Sequence, residues 1–487
     1  MLRITALILL LAALIAPASA GELDDFVDAQ MERSALPGVA WAVVDGDEVS
    51  TGARGTADGA QDVTPETPFL LGSISKSFTA LAIMQLAEAG KVDLDAPVSR
   101  YLAEFEGKPA GAITLRQLLG HTSGLSTLQG NSAPSETEAG EDAIARRAAW
   151  YASKEPAHTP GTHWEYSNAN YLILGRVIEA VSGMPYPAYL ETHILQPLGM
   201  DQSYVSGDGK HTALAQGYTP WFGSFRPTRA QWAGLGSAPQ GGIVSTASDL
   251  ARYLRMMMNG QDDILSAAGK ARMLQPASDA SPGYGFGWML DAEEGSAYHT
   301  GMSPGFETIA AMIPGKRRGV VVLTNGTSGM GFAETTDLRL GLVARALNVP
   351  QAKDTGRTMR VVNFLSLAAA PVILNPHGGP HSRATLEYRP DWHACAAHGY
   401  AVLSPNFRGS AGYGQAFIDA DRFDLGGGHR PVQTQSDNYR NVLIRYPALL
   451  QFAEQMWQQL GGWARPSQIT NNDDHAPTTR GKRAEPL

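Results

Sequence analysis

The spacing of hydrophobic and polar positions predicts the N-terminal elements of the chain. The stretch GELDDFVDAQMERSALPG predicts a helix that ends at Pro37-Gly38, and VAWAVVDGDEVSTGARG predicts a hairpin with its turn at Asp45-Gly46. The run FLLGSISKSFTALAIMQLAEAG then predicts a helix that is largely buried. Its apolar positions are Phe78, Leu81, Ile83, Met84 and Leu86.

Strands return in the second half of the chain. Residues from about 95 to 280 mix helices with long Gly-, Pro- and Ser-rich loops, and one helix runs from about 171 to 181. Between 284 and 325 the pattern predicts three strands, namely an edge strand, a second strand, a PGKRRG turn and a third strand, and FAETTDLRLGLVARALN then predicts a helix. Because strands lie at both ends with helices between them, we expect one antiparallel sheet built from distant segments, in an α/β fold.

Ser73 and Lys76 are the first candidate for chemistry. Residues three apart lie on one face of a helix, so the lysine amine can reach the serine hydroxyl. Burial lowers a lysine pKa, which lets the amine accept the serine proton near neutral pH. Gly72 permits close backbone approach, and Ser75 is expected to support the site by packing and hydrogen bonding. The alternative is a serine at a helix N-terminus followed by a solvated lysine.

Two further motifs follow in order, Tyr166-Ser167-Asn168 and His299-Thr300-Gly301. With Ser-x-x-Lys they form a three-part signature, and the chain resembles the penicillin-recognising serine hydrolases, most of all class C β-lactamases and their DD-peptidase and esterase relatives. The phrases LLGHTSGL, GGIVSTASDLARYL and YGFGWML are similar to the same family. The resemblance covers roughly residues 21–348. It implies a β-lactamase/transpeptidase-like fold, with an antiparallel sheet flanked by helices, a mostly helical subdomain and the active site in the cleft between them.

The same resemblance implies a role for each motif residue. Ser73 would be the nucleophile that forms an acyl-enzyme, and Lys76 the general base, either as a neutral amine or through Tyr166. Tyr166 would carry the proton to the leaving group, with Lys76 and His299 as the cations that stabilise any phenolate. Asn168 would bind a substrate amide, and the backbone N–H groups of Ser73 and Met302 would form the oxyanion hole. The alternative for the second motif is a turn, because Ser-Asn-Ala-Asn favours one.

The third motif departs from the β-lactamase pattern. There the triplet usually begins with lysine, whose fixed charge binds the substrate carboxylate. His299 carries a charge only when protonated, so carboxylate recognition at neutral pH should be weaker. Thr300 and Gly301 complete this substrate-binding strand. We interpret His121 and Ser123, in the HTSGL loop, as structural residues.

Composition limits the classes of partner. The chain has 487 residues, of which 43% are hydrophobic, and a formal net charge of −9 without basic blocks, so nucleic-acid binding is not indicated. A small-molecule substrate is expected, no oligomeric state is predicted, and the single cysteine, Cys395, excludes an intramolecular disulfide. The sequence has no H-E-x-x-H, and the His377 and His381 pair spans Gly-Gly-Pro. Neither a metal nor another cofactor is therefore predicted.

Residues 1–20 are typical of a signal peptide. A short basic start precedes an apolar core, and Ala18-Ser19-Ala20 provides a cleavage site. The apolar run is short for a membrane span, and no later stretch approaches 20 apolar residues, so we expect an exported protein without a stable span. An uncleaved N-terminal anchor is the alternative.

Residues beyond 348 follow a different pattern. A linker is predicted at 349–357, and residues 358–425 resemble the start of the α/β-hydrolase domain of prolyl-oligopeptidase-like peptidases. Strands are predicted at 371–375 and 401–405, with the HGGP loop at 377–380 as a turn. The G-x-S-x-G elbow of that family would have to follow. None occurs in 358–487, so we interpret this region as a truncated fragment with a weakly patterned, disordered tail at 426–487.

Three functions remain open at this point. The first is an exported serine hydrolase that cleaves amide bonds, either in β-lactams or in D-amino-acid peptides. The second is a carboxylesterase that uses the same serine on short acyl esters, and it needs no carboxylate anchor. The third is a non-catalytic protein that binds peptidoglycan or peptide. The complete set of Ser73, Lys76 and Tyr166 argues against the third, because a binding protein needs no activated nucleophile.

Overall fold

A computed structural model describes residues 20–134, 139–221, 224–228, 234–328 and 335–351, together with two short strands further on. The contacts within the chain divide it into two units, Met1–Val362 and Asn363–Leu487. Residues 1–19 of the predicted signal peptide, 1–20, lie outside the described residues. The predicted boundaries at 348 and 357 stay predictions.

The first unit alternates helices with short strands. Its helices are α1 (Ala20–Ser34), α2 (Ser75–Glu88), α3 (Leu115–Leu119), α4 (Thr127–Gly130), α5 (Ala143–Ala152), α6 (Asn168–Ser182), α7 (Tyr186–Leu190), α8 (Ala238–Gly241), α9 (Ala247–Met258), α10 (Ala267–Met273) and α11 (Thr336–Leu347). Short 3₁₀ turns lie at Gly72–Ile74, Val98–Arg100, Ala103–Phe105, Pro109–Ala112, Leu235–Ser237 and Pro314–Lys316, and a π turn at Glu191–Leu195.

Six strands form the main sheet. The strands of this unit are β1 (Gly38–Asp45), β2 (Glu48–Gly55), β3 (Phe69–Leu70), β4 (Tyr204–Val205), β5 (Tyr218–Trp221), β6 (Ser224–Pro227), β7 (Ile243–Ser245), β8 (Met289–Asp291), β9 (Ser296–Ser303), β10 (Phe306–Ile313) and β11 (Arg318–Thr324). The main sheet has the order β2-β1-β11-β10-β9-β8, and all its pairs are antiparallel. Strand β1 pairs with β11, with Trp41 opposite Val322, so distant segments share one sheet, as the sequence predicts.

The two faces of this sheet carry different helices. Because side chains alternate along a strand, one set of residues from β1, β10 and β11 faces helices α1 and α11. This set contains Val39, Trp41, Ile309, Ala311, Val320 and Val322, which cluster with Val27 and Leu338. The opposite set joins the larger core with α2, α6 and α9. Helix α2 therefore lies between the sheet and the helical region, and its N-terminal end is the place where candidate chemistry was predicted.

The structure corrects one detail of the strand prediction. The predicted edge strand, β9, is not the last strand of the sheet, because β8 pairs beyond it with Met289 opposite Tyr298. Residues 284–325 therefore contain four strands instead of three. Strand β8 has only three residues, all half-buried, so it offers no alternation from which a strand could be predicted.

Little of the second unit is described. Two strands, β12 (Val372–Leu374) and β13 (Ala401–Leu403), pair in parallel with Ile373 opposite Val402, at the positions where the sequence predicts strands. The HGGP loop and the predicted tail lie outside the described residues, so the truncated hydrolase fragment stays a prediction. The letters G-x-S-x-G occur at 301–305, but there they lie on the β9–β10 hairpin instead of a strand-to-helix turn.

A buried ion pair joins α11 to the sheet, and breaking it should destabilise the fold. Arg339 Nη2 donates to Glu307 Oε2 over 2.7 Å, and both side chains are almost fully buried. Arg339→Met leaves the Glu307 carboxylate without its cation, so we expect the free energy of unfolding, measured in urea, to fall by about 3 kcal/mol. Arg317→Met, which breaks an exposed pair with Asp47, should change it by less than about 1 kcal/mol. Equal losses in both variants would contradict this prediction.

Candidate active site

Ser73 and Lys76 meet at the start of α2. The 3₁₀ turn Gly72–Ile74 leads directly into the helix, and in such a turn residues three apart are eclipsed. Lys76 Nζ lies 2.9 Å from Ser73 Oγ, and it donates to the backbone carbonyl of Gln240 over 2.7 Å. Lys76 is fully buried, whereas Ser73 is half-buried and accessible. The alternative of a solvated lysine is therefore wrong, and the two side chains lie on one face as predicted.

The environment of Lys76 disfavours its charged form. Burial holds the pKa of the amine well below its usual value of 10.5. No carboxylate forms an ion pair with Lys76 in the part of the chain that the structure describes, and an unpaired buried ammonium is costly. A neutral amine has two N–H groups and one lone pair. With one N–H on Gln240, the lone pair can accept the proton of Ser73.

Tyr166 contacts the same serine. Its phenol shares a hydrogen bond with the Ser73 side chain, and the ring centroid is 4.9 Å from Lys76 Nζ. Burial raises the pKa of Tyr166 far above its usual value, although the hydrogen bond with Ser73 lowers it slightly. Tyr166 is therefore a protonated donor at neutral pH. The sequence-based expectation of a phenolate held by two cations does not match this environment.

The HTSGL loop holds the segment that carries Tyr166. The backbone N–H of Ser167 donates to His121 Nδ1 over 3.1 Å, and Thr127 Oγ1 donates to the carbonyl of Tyr166 over 2.5 Å. The rings of His121 and Tyr166 pack with centroids 4.4 Å apart. Ser123 Oγ donates to Asn170 Oδ1 over 2.6 Å. Both loop residues thus position the site through packing and hydrogen bonds, in line with the structural interpretation.

Asn168 offers a free acceptor. It is the first residue of α6, and its Nδ2 donates to Asn131 Oδ1 over 2.7 Å. Its own Oδ1 is buried and has no hydrogen-bond partner among the described residues. Because a buried acceptor without a partner is costly, this atom is suited to receive an N–H group from a bound molecule.

Strand β9 approaches Ser73 through two glycines. A Cβ atom on Gly301 would lie 1.8 Å from the Leu71 carbonyl, and one on Gly72 would lie 2.6 Å from the backbone nitrogen of Met302. Gly72 also has a φ of +57°, which favours glycine. Thr308 Oγ1 donates to the same Leu71 carbonyl over 2.7 Å. The close approach that the sequence predicts at Gly72 is confirmed, and it brings the N–H region of Met302 next to the nucleophile turn.

His299 is buried and neutral. Its Nδ1 donates to the carbonyl of Thr300 over 2.7 Å, so Nε2 is the acceptor for the hydroxyl of Tyr284 at 3.1 Å. Burial, the largest cause, lowers the pKa of His299 to about 3. The histidine therefore carries no charge at neutral pH, and the electrostatic anchor that lysine gives in β-lactamases is absent at this position.

Two residues of this site are not predicted from the sequence. Gln240 supplies the carbonyl that orients Lys76, and Tyr284 supplies the hydroxyl that orients His299. Both border phrases that resemble the family: Gln240 precedes GGIVSTASDLARYL, and Tyr284 begins YGFGWML. Gln240 acts through its backbone, so its side-chain type gives no signal. Only its place beside the phrase could have identified it.

A methyl group at Gly72 should damage the site. In Gly72→Ala the new Cβ would clash with the backbone of Met302, whose N–H is one of the two predicted oxyanion donors. We expect kcat to fall about 10²–10³-fold, the usual cost of losing one oxyanion donor. The control is Gly241→Ala, whose Cβ would meet its nearest neighbour, the backbone of Gly72, at an ordinary 3.7 Å. Similar losses in both variants would show that the backbone contact is not the cause.

Comparisons with known proteins agree with this geometry. The family model described as Beta-lactamase matches residues 23–345. Penicillin-binding protein 4 of Amycolatopsis lactamdurans is 31% identical over 337 residues, which cover 64% of this chain and 86% of that protein. The protein flp of Staphylococcus aureus (strain MW2) is 27% identical over 329 residues, so the match spans 62% of each chain. The match thus covers less than two thirds of the length of flp.

Solved structures give the same fold. The D-alanine carboxypeptidase AmpC from Burkholderia cenocepacia is similar with a TM-score of 0.54 and 25% identity. The match covers 68% of this chain and 99% of that one. The residues that the family model matches lie within the first unit, which also contains all the candidate residues.

Proposed function

Because the chain belongs to the Beta-lactamase family of serine hydrolases, we propose that it cleaves amide bonds of β-lactams or D-amino-acid peptides through an acyl-enzyme on Ser73. The observation that carries this proposal is the 2.9 Å contact between Ser73 Oγ and the buried Lys76 amine. The names of two relatives, a penicillin-binding protein and a D-alanine carboxypeptidase, favour these substrates.

Lys76 and Tyr166 would divide the proton transfers. The neutral Lys76 amine accepts the Ser73 proton as Oγ attacks the carbonyl carbon. Tyr166, protonated because burial raises its pKa, gives its proton to the leaving nitrogen when the C–N bond breaks. Lys76 then returns its proton to Tyr166, which restores the phenol. Water then attacks the acyl-enzyme while the neutral Lys76 amine accepts its proton, and Ser73 Oγ leaves as it takes that proton back from Lys76.

Binding would rest on backbone and amide groups. The N–H groups of Ser73 and Met302 would stabilise the negative charge that develops on the carbonyl oxygen. The unpartnered Oδ1 of Asn168 would accept a hydrogen bond from an amide N–H of the substrate. Thr300 and Gly301 would line the strand along which the substrate lies, because Gly301 lets β9 run close to the nucleophile turn.

An esterase activity is the second candidate, and His299 favours it. With a pKa of about 3, His299 offers no cation to a substrate carboxylate near neutral pH. A short acyl ester needs no such anchor, and the same serine and base would cleave it. A non-catalytic binding protein stays the third alternative. The buried amine beside Ser73 argues against it, because a binding site gains nothing from an unpaired lysine.

Export is part of the proposal. The pattern of residues 1–20 supports it. Among the described residues, the structure has no helix with the length and apolar character needed to cross a bilayer. Mass spectrometry of protein from the native host would test export, with Gly21 as the expected N-terminus.

The proposed activity is tested with three substrates. Steady-state kinetics on nitrocefin, a D-Ala-D-Ala peptide and p-nitrophenyl butyrate compare kcat/KM for the amide and ester classes. We expect turnover in at least one amide assay and a penicilloyl adduct in the intact mass. Turnover of the ester alone would favour the esterase. A lack of both turnover and adduct would leave the binding protein.

The neutrality of His299 predicts the pH dependence of substrate choice. Two substrates that differ only by a carboxylate should keep a constant ratio of kcat/KM between about pH 5 and 8, because the histidine stays neutral throughout. A protonated His299 would appear only as the pH falls towards 3. A ratio that rises for the carboxylate substrate from pH 8 to pH 5 would contradict a neutral His299.

A further inference from the structure

A second group of reactive side chains lies just before Tyr166, outside the hydrolase machinery. His158, His163 and Glu165 each direct one ligand atom into the same space, and these atoms lie within 4.8 Å of one another. The set combines two imidazoles with one carboxylate. The cluster is not predicted from the sequence, because its residues lie on a loop and do not have the spacing of helical metal motifs.

One pair of these ligand atoms already has the separation that is found between two ligands of a metal ion. His158 Nε2 lies 3.3 Å from Glu165 Oε2. For a tetrahedral ion with ligand distances of about 2.0–2.1 Å, two ligand atoms are separated by roughly 3.3 Å. The ring of His163 packs beside that of His158 with centroids 4.4 Å apart. Both rings are exposed, and the site requires the His163 side chain to rotate so that one nitrogen reaches the third position.

The backbone of this loop is fixed before any ion binds. The N–H groups of His158, Gly161 and Glu165 donate to the carbonyls of Gly124, Thr122 and His121, over 3.2, 2.7 and 2.9 Å respectively. A methyl group at Gly124 would lie 2.0 Å from the His158 carbonyl, so only glycine permits this approach. The three ligands are thus carried by a segment with a defined conformation, which reduces the ordering cost of binding.

The carboxylate is oriented in the manner of a metal ligand. Glu165 Oε1 accepts the backbone N–H of Thr127 over 2.7 Å, which leaves Oε2 directed towards His158. Ligating carboxylates in metal sites are commonly held by such an outer hydrogen bond. His158 and Glu165 therefore already supply two of the ligand positions. Oε1 of Glu165 is held by Thr127, and Oε2 is available to an ion.

We propose that His158, His163 and Glu165 bind a divalent transition-metal ion of the zinc type, with a fourth position open to water. Two imidazoles and one carboxylate match the ligand preferences of Zn²⁺ and exclude the all-oxygen shells of Ca²⁺ and Mg²⁺. Glu165 immediately precedes Tyr166 in the chain, so a bound ion would restrain the segment that carries this proton donor. Its role in this proposal is to bind and stabilise, and no step of the hydrolysis passes through it.

Titration with Zn²⁺ tests the site directly. The tag-free full chain, treated with a chelator and then freed of it, should bind one Zn²⁺ in a saturable calorimetric isotherm, and saturation should raise its Tm. Co²⁺ in place of Zn²⁺ should give the visible absorption bands of a low-symmetry, four-coordinate site. His163→Ala should weaken Zn²⁺ binding about tenfold or more, since even the loss of an outer partner costs that much.

Two further variants test whether Zn²⁺ binding depends on this cluster. Glu165→Gln keeps an acceptor for Thr127 but removes the carboxylate, so it should weaken Zn²⁺ binding while leaving the metal-free Tm almost unchanged. His193→Ala removes a histidine outside the cluster and should bind Zn²⁺ as tightly as the unsubstituted chain. Absence of saturable binding, or equal affinity in His163→Ala and the unsubstituted chain, would overturn the proposal.

Discussion

Replacing Ser73 with alanine is expected to reduce kcat/KM about 10⁵-fold or more, on whichever substrate the unsubstituted protein turns over. The serine Oγ is the atom that would form the acyl bond, and removal of a nucleophile costs on the order of 10⁶ in kcat in a well-studied serine hydrolase. The folded state should be retained, because Ser73 is only half-buried and alanine fits a helical turn. Parallel kinetics and intact-mass spectra after penicillin treatment measure both consequences.

The adduct makes this test specific. The unsubstituted protein should gain the mass of one penicilloyl group, and Ser73→Ala should gain none. Ser248→Ala serves as the control, because its exposed hydroxyl bonds to Glu66 and lies outside the candidate site. An adduct that persists in Ser73→Ala, or turnover close to that of the unsubstituted protein, would place the nucleophile elsewhere.

The sequence predicts the fold well where long segments carry a clear period. The β1–β2 hairpin, the buried helix α2 and the strands β9, β10 and β11 all come from segments of seven or more residues with alternation, helical spacing or a continuous apolar run. Strand β8 is not predicted, because three residues are too few to show a period. Local pattern also cannot give register: the pairing of Trp41 with Val322 joins segments that are far apart in the chain.

In the candidate site, too, local spacing is predictable from the sequence, whereas the environment of a side chain is not. The i to i+3 spacing is enough to predict that Lys76 reaches Ser73, because one turn of helix fixes both side chains. The charge state of His299 could not be predicted, since it depends on burial, which only the packing of the folded chain produces. Residue identity suggested a titrating histidine, whereas the fold makes it a neutral one.

This neutrality changes the electrostatic picture of catalysis. With His299 neutral and Tyr166 protonated, Lys76 is the one group of the three whose pKa is moved towards the range where a base works at physiological pH. The proton donor and the proton acceptor are then different residues that both contact Ser73. The arrangement resembles other sites in which burial drives the pKa values of two groups apart.

Lys76→Met should remove this base and thereby lower kcat/KM by roughly 10⁴-fold, near the upper end of general base contributions. Methionine has a similar length but no amine, so the Ser73 hydroxyl keeps its place without an acceptor for its proton. Lys270→Met is the matched control, since Lys270 is also buried but pairs with Asp263 at 3.0 Å. That variant should lose stability and keep its activity per folded molecule.

The pH dependence of stability also reports the charge of Lys76. The folded pKa of Lys76 lies well below its unfolded value of 10.5, so the unfolded state binds an extra proton between the two values. Stability of the unsubstituted protein therefore falls with decreasing pH in that window, by about 1.4 kcal/mol per pH unit. Lys76→Met lacks this loss, so its stability gain should be larger at pH 7 than at pH 9, as measured by urea unfolding. A gain that does not depend on pH would mean that Lys76 is charged in the folded protein and is no base at rest.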